Sequence, residues 1–362
     1  MSFDFDGRVA RLKEVMGRDG IDVALLSIGA DLPYFTGYEA KPSERLTVLV
    51  VPVDDSPVLY VPVLEAPGVP PGAFEVRPWT EVEDPVALAA ATTPTPEIVA
   101  VGDHMWSVFL TRFQAIWTKA AWRPASEITS SLRLMKDTDE IDLLRRAAHG
   151  VDRVMARVPT EVPFAGRTEL EVARDLAEMT IEEGHDVAEF TIVASGPNGA
   201  SPHHHPGHRR IEEGDLVVCD FGGRIGGYYS DSTRTFSVGT PDQRRREIHE
   251  IVATANETGR AAIKPGVLCQ DIDNVTRAVV EDSGYGGYFI HRTGHGIGLE
   301  VHEHPYIVDG NETILQPGMC FSVEPGIYLP DEFGVRIEDI VVCTDDGVDS
   351  LNQSERGLVH VG

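Results

Sequence analysis

The chain is predicted to be an α+β protein of two domains, a small α/β unit followed by a larger one built on an internal duplication. Three observations predict this. In the first third, β-like runs alternate with helical patterns. Near residue 136 the character changes to a long amphipathic helix, and the second half then repeats a glycine-bracketed helix followed by a strand. A length of 362 residues exceeds the usual single domain and is divided here into residues 1–130 and 136–362.

Helical spacing near residues 6–19 opens the first domain. Val23–Leu26, Thr47–Val53, Val58–Leu64 and Ile98–Val101 are apolar, β-branched runs that predict strands, and a second helical pattern covers residues 106–120. Proline is dense between Pro52 and Pro96, which favours irregular connections there. This half shows no catalytic constellation, and the isolated His104 reads as a surface or structural residue.

The second domain begins with Asp137 and Glu140 spaced as a capping box. Behind them Ile141, Leu144, Ala148, Val151, Met155 and Val158 recur at intervals of three and four, the pattern of a helix with one apolar face. Gly166 and Gly184 bracket the helical segment RTELEVARDLAEMTIEEG, and Gly266 and Gly284 bracket VLCQDIDNVTRAVVEDSG at the same spacing. After each comes a glycine and a strand. Gly214 to Asp220 aligns with Gly318 to Glu324, so both copies end on an acidic residue.

Each copy continues as a hairpin that opposes carboxylates. In VVCDFGGRIGGYYSDSTRTF, a turn centred between Ile225 and Gly226 sets Asp220 opposite Asp231; in FSVEPGIYLPDEFGVRIEDIVVC, a turn centred on Asp331 sets Glu324 opposite Glu338. Like charges facing one another across a ladder are destabilising, and four of them inside a sheet carry a large desolvation cost. Two divalent cations would remove that cost. Oxygen ligands with one histidine point to manganese, cobalt, zinc or iron over calcium. The glycine-rich stretch YFIHRTGHGIGLEVHEHP supplies His295, with His291, His302 and His304 nearby. In SGPNGASPHHHPGHRR adjacent histidines cannot all face one site, so one is expected to line the cleft.

Composition limits the partners. A net charge of −27 repels nucleic-acid phosphates, and no apolar run is long enough to span a bilayer. The opening MSFDFDGRVARLKEV lacks the layout of a signal peptide, and Cys219, Cys269, Cys320 and Cys343 are widely spaced without a CxxC pair. Reduced, buried thiols in a cytoplasmic protein are therefore expected.

The segments SGPNGASPH, GDLVVCDFGG, YYSDSTRTF, HRTGHGIGLEVHEHP, PGMCFSVEPGIY and GVRIEDIVV resemble the pita-bread metallopeptidases, which include methionine aminopeptidase, aminopeptidase P and prolidase. The resemblance covers residues from about 136 to 345 in order and implies a pita-bread catalytic domain with pseudo-two-fold duplication. Residues 1–130 resemble the creatinase-type amino-terminal domain less sharply. Five metal ligands are implied: Asp231 and Glu338 bridging two divalent ions, Asp220 on one, His295 and Glu324 on the other. Manganese is the foremost expectation, with cobalt, zinc or iron as alternatives.

By the same resemblance His203 faces substrate, His291 and His302 surround the scissile bond and the proline ring, and Tyr328 and Arg336 orient carboxylates and approach substrate. The implied reaction is hydrolysis of the Xaa-Pro bond in short peptides, with Glu324 shuttling the proton and His291 or His302 stabilising the oxyanion. A dipeptidase must also hold a free carboxylate, for which Arg292 and Arg336 are candidates. Members with this layout imply a homodimer. Two other readings keep the fold: hydrolysis of another small-metabolite C–N bond, or a non-catalytic binding module, which typically loses metal ligands that are all present here.

Overall fold

A computed structural model describes residues 3–362, which fall into two compact units, one ending at Arg133 and the other spanning Leu134–Gly362. The first contains α1 (Phe5–Asp19), β1 (Val23–Leu26), α2 (Asp31–Thr36), β2 (Val48–Pro52), β3 (Val58–Pro62), β4 (Glu75–Trp79), α3 (Pro85–Ala91), β5 (Ile98–Val101), α4 (Ser107–Ile116), β6 (Ala121–Pro124) and α5 (Ser126–Leu134). Its strands form one mixed sheet in the order β4-β3-β2-β1-β5-β6. Tyr60, Trp79, Phe109 and Phe113 close the core against Val23, Leu25, Val48 and Val50.

The proline-dense stretch is more regular than expected. Pro78 is tolerated in β4 because that strand is at the sheet edge, where a missing N–H costs no ladder bond. Pro85 occupies the first turn of α3, where the amide would be unbonded anyway, and Asp84 Oδ1 caps the helix by accepting from the Val86 and Ala87 amides.

The second unit contains α6 (Thr138–Glu161), α7 (Glu169–Glu182), β7 (Val187–Ser195), β8 (Leu216–Ile225), β9 (Tyr228–Tyr229), β10 (Ser232–Val238), α8 (Gln243–Ala261), α9 (Cys269–Asp282), β11 (Gly294–Gly296), β12 (Glu303–Ile307), β13 (Cys320–Val323), β14 (Gly326–Leu329), β15 (Phe333–Arg336), β16 (Asp339–Cys343), β17 (Val348–Ser350) and β18 (Val359–Val361). The capping box at Asp137 and Glu140 forms, with the Glu140 amide donating to Asp137 Oδ1 and the Asp137 amide donating to Glu140 Oε2. Three sheets follow, β18-β10-β8-β7 with β9 on β8, β12-β11-β13-β16-β17, and the two-stranded β14-β15.

The duplication is visible in the backbone. Gly166, Gly184 and Gly214 take positive φ, and so do their counterparts Gly266, Gly284 and Gly318. Thr168 bridges Arg210 just as Leu268 bridges Ile314, at matching positions in the two copies.

Strand alternation decides which way the carboxylates point. In β8, Val217, Cys219 and Phe221 pack on α6 and α7 through Val151, Met155, Val172 and Leu176, so Asp220 faces the opposite side. Phe236 and Val238 of β10 join the same core, which turns Thr233 and Thr235 away from it. In the second sheet Phe321, Val323, Val341 and Cys343 pack with Cys269 and Ile272 of α9, so the even-numbered Glu324 and Glu338 are on the other face.

The first hairpin differs in register from the expectation. Its turn is Gly226-Gly227, both at positive φ, rather than one centred between Ile225 and Gly226. Successive positive φ values give the type I′ turn whose twist matches paired strands, and two glycines accept it without strain. Asp220 therefore opposes Thr233, not Asp231. The slip is by two residues, an even number, so Asp231 stays on the same face as Asp220. In the second hairpin the ladders on both sides of Glu324 and Glu338 keep the register expected, with Val323 opposite Asp339 and Gly326 opposite Arg336.

All four cysteines are buried and unpaired with one another. Among the described residues no helix is long and apolar enough to cross a membrane.

Candidate metal centre

Asp220, Asp231, His295, Glu324 and Glu338 converge on one cleft of about 830 Å³, bordered also by His203, His291, Arg292, His302 and Arg336. His295 Nε2 is 3.3 Å from Glu324 Oε1, 3.6 Å from Asp231 Oδ2 and 3.9 Å from Glu338 Oε1. Single donor atoms of Asp231, His295 and Glu338 all lie within 4.8 Å of one another, and all three residues are buried.

Three of the four carboxylates are held from behind. Glu338 Oε2 accepts from Thr233 Oγ1 at 2.6 Å, and Ser322 Oγ donates to Glu324 Oε1 at 3.1 Å while accepting the His295 amide at 2.9 Å. Arg336 Nη2 donates to Asp220 Oδ2 at 2.6 Å. The second lobe of the guanidinium donates to Tyr328 Oη at 2.8 Å, and Tyr328 Oη is 2.8 Å from His291 Nε2. With His291 Nδ1 2.7 Å from the Arg292 carbonyl, both ring nitrogens of His291 are engaged.

The electrostatics call for a cation. Burial, then the charges of Glu338, Asp220 and Glu324, holds the Asp231 carboxyl well above the usual carboxylate range. Burial, then Glu324 and Asp220, does the same to Glu338. Glu324 is pushed up to about 7 by burial and by Asp220, against the opposing pull of Arg336. Burial, with His302 adding to it, pushes His295 down to about 3, so its ring is neutral near pH 7.

The residues fit a divalent ion on three counts. Asp220 Oδ1 and Asp231 Oδ1 are buried with no hydrogen-bond partner. The Nδ1 proton of His295 is directed at the Gly296 carbonyl, 3.1 Å away, which leaves the Nε2 lone pair facing carboxylate oxygens. One nitrogen among several oxygens is the donor mix of a borderline divalent metal. Lone pair against lone pair in a buried site is repulsive unless a cation or protons intervene.

Tyr328 and Arg336 therefore form a chain from His291 to Asp220, and His302 packs edge-on against His295 with centroids 4.2 Å apart. The histidine run departs from expectation, because His203, His204 and His205 all border the cleft. A bend in the loop lets successive residues contribute where a strand would alternate them.

Three supporting residues were not read from the sequence. Glu169, fully buried, accepts from the Ser195 amide, Ser195 Oγ and Asn198 Nδ2 on one oxygen, and from the Gly207 amide on the other, which also lies 2.8 Å from His204 Nε2. It ties down the histidine-bearing loop from the start of α7. Asp273 accepts the Thr293 amide at 3.0 Å and is paired with Arg277, which donates to the carbonyls of Phe289 and His291. That pair fixes the approach to His295. The i,i+4 spacing of Asp273 and Arg277 was a visible signal, whereas Glu169 was masked by the Thr168–Glu171 capping box beside it.

Sequence comparison matches residues 142–345 to metallopeptidase family M24 and residues 8–135 to the creatinase/prolidase N-terminal domain. The chain is 43% identical to a probable dipeptidase PepE of Mycobacterium tuberculosis over 94% of its own length and 92% of that protein. It is 35% identical to a Xaa-Pro dipeptidase of Lactobacillus helveticus, over 96% and 97% of the two chains. A prolidase crystal structure from Thermococcus sibiricus superposes over the whole of both chains with a TM-score of 0.95 at 38% identity.

Proposed function

The chain belongs to metallopeptidase family M24, and from that premise we propose that it hydrolyses the Xaa-Pro bond of dipeptides at a centre of two divalent cations. Asp231 and Glu338 would be shared by both ions, Asp220 would serve one, and His295 with Glu324 the other, with manganese foremost and cobalt, zinc or iron as alternatives. Bound there, such ions lower the pKa of water and polarise a carbonyl oxygen.

The protein's own groups supply the rest. Glu324, bordering the cleft 3.3 Å from His295 Nε2, would take and return the proton. His302 makes no hydrogen bond to any described residue and is the free imidazole for a developing oxyanion, whereas His291 is tied to Tyr328 and Arg292. His291 then serves as a wall for the proline ring, and His203 faces the substrate from the loop.

One observation favours a dipeptidase over an aminopeptidase. Arg336 is committed to Asp220, Thr233, Tyr328 and the Pro202 carbonyl, but Arg292 borders the cleft with no hydrogen-bond acceptor among the described residues. Its guanidinium rests on the Tyr306 ring, 4.3 Å from the centroid, which holds the fork rigid and leaves its N–H groups for a substrate carboxylate.

A panel of Xaa-Pro dipeptides, Xaa-Pro-Yaa tripeptides, Xaa-Pro amides and non-prolyl controls tests this after chelation and re-addition of each metal. Dipeptides are expected to be preferred, and Arg292→Gln to raise their KM ~10–100-fold, the worth of one charge-assisted contact. Amides should be untouched. Equal cleavage of tripeptides together with an unchanged KM in the variant would sink the dipeptidase assignment, and activity surviving chelation would sink the metal centre.

The reading further includes a homodimer and a cytoplasmic location. Exposed Val63, Leu64, Trp106, Val108 and Ile116 in the first unit give apolar surface for self-association, and buried free thiols suit a reducing compartment. A monomer mass by light scattering would refute the dimer.

A further inference from the structure

Helix α8 turns one face toward a second cavity, of about 500 Å³, lined on that helix by Arg246, His249, Glu250, Ala253, Glu257 and Arg260. The facing wall is the approach to β18, with Arg356, Leu358 and His360. Beneath it is Asp339, which by strand alternation faces the opposite side of β16 from Glu338. The cavity therefore backs onto the metal centre without opening into it.

The donors here outnumber their acceptors. Asp339, fully buried, accepts from Arg234 Nη2 at 2.7 Å and from Arg356 Nε at 2.7 Å, with Arg260 Nε 3.7 Å away. Three guanidinium groups thus gather around one carboxylate. Arg260 donates its Nε proton to Asn256, but neither of its Nη groups has an acceptor among the described residues, and Nη1 of Arg356 has none either. His249 is only 4% exposed, borders the cavity, and makes no hydrogen bond at either ring nitrogen. These donors border the cavity without protein partners among the described residues, and a chain of net charge −27 has gathered them in one groove.

A cation does not suit this set. Glu250 and Glu257 are exposed, and the one group of three or more metal-ligating side chains close enough to share an ion among the described residues is that of Asp231, His295 and Glu338. The forked Nη groups of Arg260 and Arg356, with His249 between acceptor and donor roles, instead match the oxygens of a tetrahedral anion. Ala253 and Leu358 give the cavity an apolar wall, and its volume exceeds what the anion alone fills.

We propose that this groove binds a phosphate group, either inorganic phosphate or the head of a small phosphomonoester, held by Arg260, Arg356 and His249. Isothermal titration of the metal-loaded enzyme with inorganic phosphate and with glycerol 3-phosphate, each against chloride at equal ionic strength, tests it. Phosphate can also reach the metal centre, so groove variants decide the assignment. Arg260→Gln and, as a substitution that leaves the Asp339 cluster intact, Ala253→Glu should each weaken one saturable site at least tenfold while prolyl-dipeptide hydrolysis is unchanged. Tighter binding of the ester identifies an attached organic group as part of the ligand, and equal affinity identifies free phosphate. Wild-type affinity in both variants, or no binding beyond chloride in the parent, overturns the proposal.

Discussion

Asp231→Asn is expected to lower prolyl-dipeptide turnover by ~10³-fold or more, since about 4 kcal/mol of transition-state charge stabilisation would go with a carboxylate shared by two cations, the role proposed for Asp231. The same substitution should stabilise the chelated protein. Asp231 is 4% exposed, its Oδ1 has no partner, and its carboxyl is held far above the usual range by burial and by Glu338, Asp220 and Glu324. Asparagine has nearly the same shape without the charge and brings an N–H donor to a site rich in acceptors. Relief of about 1–3 kcal/mol is expected, read as a melting point a few degrees higher in chelator. The two readouts move in opposite directions, which a general packing defect cannot mimic. Parental turnover by the metal-loaded variant would end the model.

The stabilisation conferred by metal should grow as pH rises. In the chelated protein Glu324 titrates near pH 7 against an ordinary 4.5, so between those values the folded state holds a proton that the unfolded chain has released. Stability is therefore lost as pH climbs through that window, by on the order of 3 kcal/mol for Glu324 alone. Asp231 and Glu338, also raised, act in the same direction. Metal keeps these carboxylates ionised in the folded state, so the loaded protein escapes the loss. Buried His249 and His291, pushed down to about 4, favour folding as pH rises, but they do so with and without metal. Urea unfolding with metal and with chelator at pH 5 and pH 8 gives the difference directly. A gap no larger at pH 8 than at pH 5 would contradict the buried carboxylate cluster.

Much of the second unit follows from local pattern. Glycines bracketing α7 and α9 need positive φ, and the capping box needs only residues three apart, so both are written in short stretches of chain. Carboxylates on one sheet face follow from alternation with period two, and that parity survived an error of two residues in the register of the first hairpin. The sequence does not fix this turn, because the run Arg224-Ile225-Gly226-Gly227 offers several two-residue turns and the choice depends on strand twist.

Chain order alone determined the duplication, the acidic residue at the end of each repeat and the histidine loop between them, because turns, caps and strand parity are short-range. Tertiary structure decided which partners those residues meet. Glu169 reaching the histidine loop, Asp273 holding Thr293, Arg336 saturated while the Arg292 side chain makes no hydrogen bond among the described residues, and three arginines around Asp339 all depend on segments that the fold brings together. Such contacts are set by how two sheets pack against their helices, and packing sums many weak terms that no single stretch of sequence contains.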